Sequence, residues 1–394
     1  MEAWTAGRVF DGEQVLPAGS AVVVDGGQVV AVLGPGERAP DAAVPVDHPD
    51  ATLLPGLVET HAHLCCDGGP GALERIPDAS DEEMWSVIET SLRAQLAAGV
   101  TTVRDLGDRR YSAVEWRDAH AGDASFPRVL ASGPPITTPG GHCANMGGET
   151  AGAGALRAAV RARAERGVDV VKIMASGGVN TAGSDAAAPQ FGVGDLRVVV
   201  EEAHRLGLPV TAHAHSVGSV GDAIDAGVDA VEHATFVTGT GFAPDPTAVA
   251  QLAARRLPVC PTLGIVPGVT PPPAVLEMMR RTGMTTESRA AMFAGLHHAG
   301  VLLVSGSDAG INPGKRHGVL PEALVQLAQA GVPVVDVLAS GTSRAADALA
   351  VGDRTGRLRA GLDADLLVVR GDPIVDVTRL RDVLAVVARG RRVA

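Results

Sequence analysis

Seven side chains able to bind a cation sit at or near the ends of short apolar runs. His61 and His63 close TLLPGLVETHAH, Lys172 lies in DVVKIM, His213 and His215 close PVTAHAH, His233 closes AVEH, and Asp308 closes VLLVSGSD. On a strand, an i, i+2 pair points to one face at roughly 6.5–7 Å. Both imidazoles of His61-Ala62-His63 can therefore reach one ion. Neutral imidazole suits zinc and similar borderline metals. Alone, the pair reads more readily as two polar residues at a strand end. The ligand-capable groups closing the other runs favour a metal centre.

Lys172 carries a second signal. Of 33 basic side chains only two are lysines, Lys172 and Lys315. Where a generic cation suffices, this sequence uses arginine. A lysine inside an apolar strand loses its proton more readily on desolvation. The neutral amine can serve as a Schiff-base nucleophile, or it can take up CO₂ to give a carbamate whose oxygens bridge two cations. With the histidines nearby the carbamate reading is preferred. The ligand set then closes: His61, His63 and Asp308 for one divalent ion, His213 and His233 for a second, with carbamylated Lys172 and a hydroxide bridging both. Paired ions lower the pKa of a bridging water and polarise a carbonyl. Asp308 would take the water's proton as general base and return it to the leaving group.

Elements must bring these positions together. From about residue 51 to 350, short apolar runs alternate with Ala/Glu/Arg-rich helical stretches such as DEEMWSVIETSLRAQLAAG and VGDLRVVVEEAHRLG, each ending in Gly, the preferred residue after a helix. Eight strand–helix units of this length match a (β/α)₈ TIM barrel, whose chemistry sits at the C-terminal strand ends. A doubly wound sheet would carry a Gly-rich phosphate loop after its first strand, but here that run ends in ETHAHL. Val-rich runs broken by Asp-Gly and Gly-Gly turns fill residues 1–50, and similar runs, DADLLVVRG and DVLAVVARGRRV, fill the last stretch. These predict a small β-sandwich domain built from residues 1–50 and 351–394, around a catalytic domain of residues 51–350.

The pattern LLPGLVETHAHL … VVKIMASGG … PVTAHAHS … AVEHAT … VSGSDAG resembles the amidohydrolase superfamily of metal-dependent hydrolases. The tail GTSRAADALAVGDRTGRLRAGLDADLLVVRGDP is similar to that family's return to its β-sandwich. LAAGVTTVRDLGD and the Gly-Gly-His run at 140–142 resemble the imidazolonepropionase-like branch, which includes Xaa-Pro and Xaa-Arg dipeptidases and ochratoxin-hydrolysing amidases. The resemblance spans nearly the whole chain. It implies His61, His63, Lys172, His213, His233 and Asp308 as metal ligands, with zinc the first expectation; His and carboxylate ligands also suit manganese or iron. Either histidine of PVTAHAHS is placed to bind, and the resemblance selects His213, leaving His215 to hydrogen-bond substrate. Deaminases of the superfamily commonly use one metal without the modified lysine, so Lys172 speaks against deamination. Dipeptidase-like relatives tend to carry a tyrosine near the reacting carbonyl, and nothing places Tyr111, the only tyrosine, there.

The loops after the runs are the candidate substrate walls. Residues 134–150 carry His142 among glycines, so His142 is assigned to the substrate's carbonyl oxygen or carboxylate. Residues 176–192 suit a lid, as do residues 266–287, which are rich in Met and Pro; Met at helical spacing more often marks core. His317 is a further candidate contact, whereas Cys65 and Cys66 read as buried thiols. The expected reaction is cleavage of a small-molecule amide, such as a dipeptide or N-acyl amino acid. The alternatives are a cyclic amide, lactone, ester or carbamate, or an inactive binding scaffold.

Composition excludes other classes. With 33 basic against 45 acidic side chains the formal charge is −12, unsuited to nucleic acid or an anionic membrane, which need a basic face. No uncharged apolar stretch approaches the ~20 residues of a membrane span. Four cysteines without a CxxC pair fit a reducing cytosol, and the first ten residues show no signal-peptide pattern. A cytoplasmic enzyme is expected, with association into a homo-oligomer left open.

Overall fold

A computed structural model describes residues 1–393. Its strands are β1 (Glu2–Val9), β2 (Ala21–Asp25), β3 (Gln28–Leu33), β4 (Val44–Pro55), β5 (Leu57–Ala62), β6 (Val100–Asp105), β7 (Arg128–Ala131), β8 (Val171–Met174), β9 (Val210–Ser216), β10 (Ala230–Val237), β11 (Val259–Cys260), β12 (Leu366–Arg370), β13 (Val383–Ala388) and β14 (Arg391–Arg392). The fold is α/β. The run TLLPGLVET, expected as one strand, divides at Gly56: β4 joins the terminal sheet and β5 a parallel sheet. A Cβ on Gly56 would lie 2.1 Å from Thr101 Oγ1, so only glycine lets the chain cross from one sheet to the other there.

Both chain ends pair in a single seven-stranded mixed sheet, ordered β14-β13-β12-β4-β1-β2-β3. Its apolar residues follow the two-residue period of a strand. Leu366 and Val368 of β12 pack with Trp4, Val22, Val24, Val29 and Val387, while Leu367 and Val369 face the main core with Leu57, Leu96 and Val100. Strands far apart in the sheet order, β3 and β13, thus contribute to one apolar cluster.

The middle of the chain forms two parallel sheets, β5-β6-β7 and β11-β10-β9-β8. Parallel strands need crossovers, and helices supply them. The helix Asp81–Ala97 starts at a capping box in which Ser80 and Glu83 satisfy each other's backbone N–H, and it buries Met84, Ile88, Leu92 and Leu96 at 3.6-residue spacing. The helices Ala153–Glu165, Val193–Arg205 and Val217–Ala226 occupy the expected stretches. Single bridges connect the sheets rather than a continuous ladder: Ile136 with Ile173, Val259 with Leu303, and Ala62 with Ala309. The last two involve residues 301–309; residues 301–308, expected as the eighth strand, form no regular ladder. Left-handed residues interrupt this region: Thr262 has φ +48° and Asp308 φ +60°, outside the β region of a regular strand.

Candidate metal centre

The C-terminal ends of the parallel strands converge on an open cavity of about 920 Å³. Six of the chain's 12 histidines line it, namely His61, His63, His142, His213, His215 and His233, together with Asp308 and both lysines. Every position named for metal binding or substrate contact at 61, 63, 142, 172, 213, 215, 233 and 308 therefore faces one space. His317 does not line it: its Nε2 meets the Cys66 carbonyl at 2.8 Å and its Nδ1 the Gln95 amide at 3.3 Å. The remaining histidines lie elsewhere, Tyr111 packs beneath Arg166, and the four thiols are buried and unpaired.

Each imidazole uses one ring nitrogen to fix itself. His63 Nδ1 donates to the Gly107 carbonyl at 3.1 Å, and His213 Nε2 to the Gly177 carbonyl at 3.0 Å. Because a carbonyl only accepts, those nitrogens carry the hydrogen, and the opposite nitrogen of the neutral His213 ring presents a lone pair. His61 Nδ1 is held by the Glu232 carboxylate at 2.8 Å, His233 Nδ1 by Thr262 Oγ1 at 2.8 Å and His215 Nδ1 by Thr235 Oγ1 at 2.8 Å. Such outer partners orient metal-binding imidazoles. The ligand atoms form two separate groups: His61, His63 and Asp308 within 4.8 Å of one another, and likewise His213, His215 and His233. Asp308 Oδ1 stands 3.4 Å from His61 Nε2 and 3.2 Å from His63 Nε2. The second group contains both strand-five histidines, so geometry alone does not choose between His213 and His215.

Electrostatics follow from burial. Desolvation and the charge of Lys172 pull His61 down to about 4 despite Glu232. Burial, with neighbouring cationic side chains, pulls His142 to about 4 and His215 to about 3, and lowers His213 and His233 well below the ordinary value. These rings are neutral, the form that binds a metal. His63 is the exception: burial pulls it down, but its hydrogen bond to Asp308 and that carboxylate's charge win, raising it to about 9. Burial pushes Asp308 up, yet His63 and His61 hold it well below the usual carboxylate range. A proton and a cation compete for the same Nε2 there.

The fit to a metal pair rests on Lys172. Among the described residues its Nζ is buried without a hydrogen-bond partner, and desolvation lowers its pKa. An unsupported buried polar group is costly. The amine sits in a cavity walled by histidine lone pairs, so an oxygen-bearing adduct on it would meet cations rather than solvent.

Several groups escaped the sequence reading. Glu232 accepts Arg104 Nη2 at 2.9 Å and Thr211 Oγ1 at 2.6 Å besides His61. Lys315 Nζ donates to the carbonyls of Thr262, Leu263 and Ser307 at 2.6, 3.1 and 2.9 Å, tying the end of β11 to the segment before Asp308. Lys315 carried the same rarity signal as Lys172. His142 is oriented by residues 176–192: Thr181 Oγ1 meets its Nδ1 at 2.9 Å, and a Cβ on Gly178 would stand 2.3 Å from its Nε2. The helix Pro273–Thr282 buries only Thr282, while Val275 and Met278 line the cavity, so its methionine spacing marks a cavity wall.

Fold and site together define an α/β enzyme with an imidazole-walled pocket at its strand ends. The chain belongs to the Amidohydrolase family, whose pattern matches residues 52–393, and it is a hydrolase acting on carbon–nitrogen bonds. It is 25% identical over 417 residues to an ochratoxinase of Aspergillus niger, covering 95% of this chain and 82% of the relative. A solved Xaa-Pro dipeptidase with bound methionine in its active site superposes with a TM-score of 0.86 at 27% identity, covering 99% of both chains. A putative prolidase from Bifidobacterium longum gives 0.79 at 28% identity, over 99% of this chain and 94% of the other.

Proposed function

We propose that this chain is a binuclear metal-dependent amidohydrolase that cleaves the amide bond of a small molecule such as a dipeptide or N-acyl amino acid. One observation carries the reading: among the described residues Lys172 Nζ is buried and unpartnered, in the cavity that the histidines line. His61, His63 and Asp308 would hold one ion and His213 with His233 the other, with the carbamate of Lys172 between them. When bound, such a pair supplies Lewis acidity to a carbonyl and makes a shared water acidic near neutral pH. Ionised Asp308 takes the attacking water's proton and returns it to the leaving nitrogen. His142 and His215 orient the substrate carbonyl through their ring nitrogens. The ochratoxinase and dipeptidase relatives support an amide over a lactone, ester or carbamate.

The same reading closes the two parallel sheets into a (β/α)₈ barrel through residues 301–309. It makes residues 1–50 with 351–394 a two-layer β domain, supported by the apolar cluster that distant strands of the terminal sheet share.

Metal analysis with a hydrolysis screen tests it. About two metal equivalents and turnover of dipeptides or N-acyl amino acids are expected, and Lys172→Ala should lose metal and activity together. Full metal content with near-normal turnover in Lys172→Ala would remove the bridging amine. A wild-type protein free of metal and inactive on every substrate would leave only a binding scaffold.

A further inference from the structure

β11 and the run 301–308 separate before they reach the cavity. Val259 N–H bonds to the Leu302 carbonyl at 2.9 Å, and Val304 N–H to that of Val259 at 3.0 Å. Beyond that point, among the described residues, no backbone hydrogen bond links residues 260–264 to residues 305–309. The causes are local. Pro261 has no N–H to give, and Thr262 is left-handed. The other run turns its donors away: Ser305 N–H goes to the Ser340 carbonyl, Ser307 N–H to the Glu59 carboxylate and Asp308 N–H to the His61 carbonyl. The carbonyls of Thr262, Leu263 and Ser307 therefore meet no N–H across the gap.

Lys315 occupies that gap. It ends the short 3₁₀ turn Pro313–Lys315, which Asn312 caps, and its own carbonyl accepts Gly310 N–H at 2.6 Å. Its buried Nζ reaches Thr262 and Leu263 on one side, at 2.6 and 3.1 Å, and Ser307 on the other, at 2.9 Å. Three carbonyl oxygens converging on one nitrogen match the three N–H bonds of an ammonium. A guanidinium donates only in its own plane and cannot close on all of them. This accounts for the second lysine of a chain that otherwise uses arginine. Arg289 gives the contrast. Its Nη2 serves the carbonyls of Pro261 and Thr262 and, among the described residues, makes no hydrogen bond to the run 301–308.

The two sides that Lys315 joins carry different halves of the ligand set. Thr262 Oγ1 meets His233 Nδ1 at 2.8 Å, and Ser307 precedes Asp308, whose Oδ1 faces His61 and His63. Thr262 and Asp308 are both left-handed, with φ +48° and +60°, a conformation that persists only where the surroundings hold it. We infer that Lys315 is a positioning residue whose ammonium replaces the missing strand pairing and so fixes the two halves of the metal centre relative to each other. This rests on the metal reading of the site and adds the group that sets its internal spacing. All three donors of Lys315 go to backbone, so it acts through Thr262 on His233 and through Ser307 on Asp308.

The test reads zinc affinity by competition with a chelator, and hydrogen–deuterium exchange in the metal-free protein. Lys315→Ala leaves a space of the size and chemistry of n-propylammonium. The variant should bind zinc roughly 10- to 100-fold more weakly, the scale of losing an outer partner, and should exchange faster at residues 259–264 and 301–309 but not elsewhere. Millimolar n-propylammonium should restore most of the affinity and slow that exchange. Tetramethylammonium, a cation without N–H, should do neither, and Lys315→Arg should bind zinc as weakly as Lys315→Ala. Unchanged affinity in Lys315→Ala, equal rescue by tetramethylammonium, or wild-type affinity in Lys315→Arg overturns the inference. Lys315→Met, which keeps the apolar stem, replaces Lys315→Ala if truncation loosens the whole protein; fast exchange throughout both variants makes Lys315 a core residue and overturns the inference as well. A wild type that binds neither zinc nor manganese counts against the metal reading. The exchange data then decide the clamp alone: acceleration confined to the two segments and reversed by n-propylammonium supports it, and unchanged exchange overturns it.

Discussion

Glu232 accepts His61 Nδ1, Arg104 Nη2 and Thr211 Oγ1 in a fully buried position. Burial would raise its pKa, but His61 and Arg104 hold it well below the usual carboxylate range. The carboxylate therefore fixes the tautomer of His61 and leaves Nε2 facing Asp308. Glu232→Gln retains the shape and removes the charge. Metal affinity should fall roughly 10- to 100-fold, the usual cost of losing an outer partner, with far-ultraviolet circular dichroism unchanged; competition with a chelator measures it. Unchanged affinity would make Glu232 a partner of Arg104 alone. Residues of this kind explain what the sequence could and could not reveal. Lys172 was legible because lysine is so rare here and sits in an apolar run, and the histidines because they close such runs. Glu232 lies beside His233 in AVEHAT, where an acid on a strand is unremarkable until its across-sheet neighbours are known. His213 and His215 share a face in sequence and a cluster in space, so the ambiguity between them survives folding.

At the scale of elements, left-handed backbone gathers where strands meet the cavity. His233, Thr262 and Asp308 have φ of +70°, +48° and +60°, and such residues cost of order 1–3 kcal/mol each unless their surroundings hold them. Regular alternation announces strands but not the left-handed residue that ends them, so VLLVSGSD reads as a full strand in sequence. The (β/α) alternation itself was legible because helices with clear caps separate the runs. Away from the site the same conformation also serves as a helix stop. After the helix Ser343–Ala348, Ala350 has φ +56°, with Val351 N–H bonded to the Ala346 carbonyl at 2.9 Å and Ala350 N–H to that of Asp347 at 3.0 Å. That is the Schellman pattern, whose left-handed position prefers glycine. Ala350 is exposed, so replacing it loses no burial. Ala350→Gly should therefore stabilise the protein by roughly 0.5–1 kcal/mol, the relief of a left-handed L-residue less the entropy glycine loses. A higher urea midpoint at unchanged slope is the expected result, and a lower midpoint would contradict it.

Taken whole, the molecule joins its two ends to its centre through packing rather than through a linker. The repeated Val-rich runs made the pairing of the termini legible, but which face of that sheet meets the rest was not, because β12 is apolar on both faces. Leu367 is the contact that decides it. It is fully buried in the main core, and its Cδ2 lies 2.7 Å from where a Cβ on Gly99 would stand, at the turn between the helix Asp81–Ala97 and β6. Leu366, one residue earlier, packs instead into the terminal cluster with Trp4. Truncating Leu367 leaves a void between the two units, and large-to-small changes of this kind cost roughly 2–5 kcal/mol. Because the main core includes residues of both units, with Leu367, Val369 and Val386 beside Leu57 and Trp116, they should unfold together. Leu367→Ala should lower the denaturation midpoint while keeping one transition, seen at the same denaturant concentration by tryptophan fluorescence and by circular dichroism. Two separated transitions, the earlier one shifted by the mutation and the later one not, would show that the terminal sheet is an independent unit resting on the catalytic centre rather than part of its core.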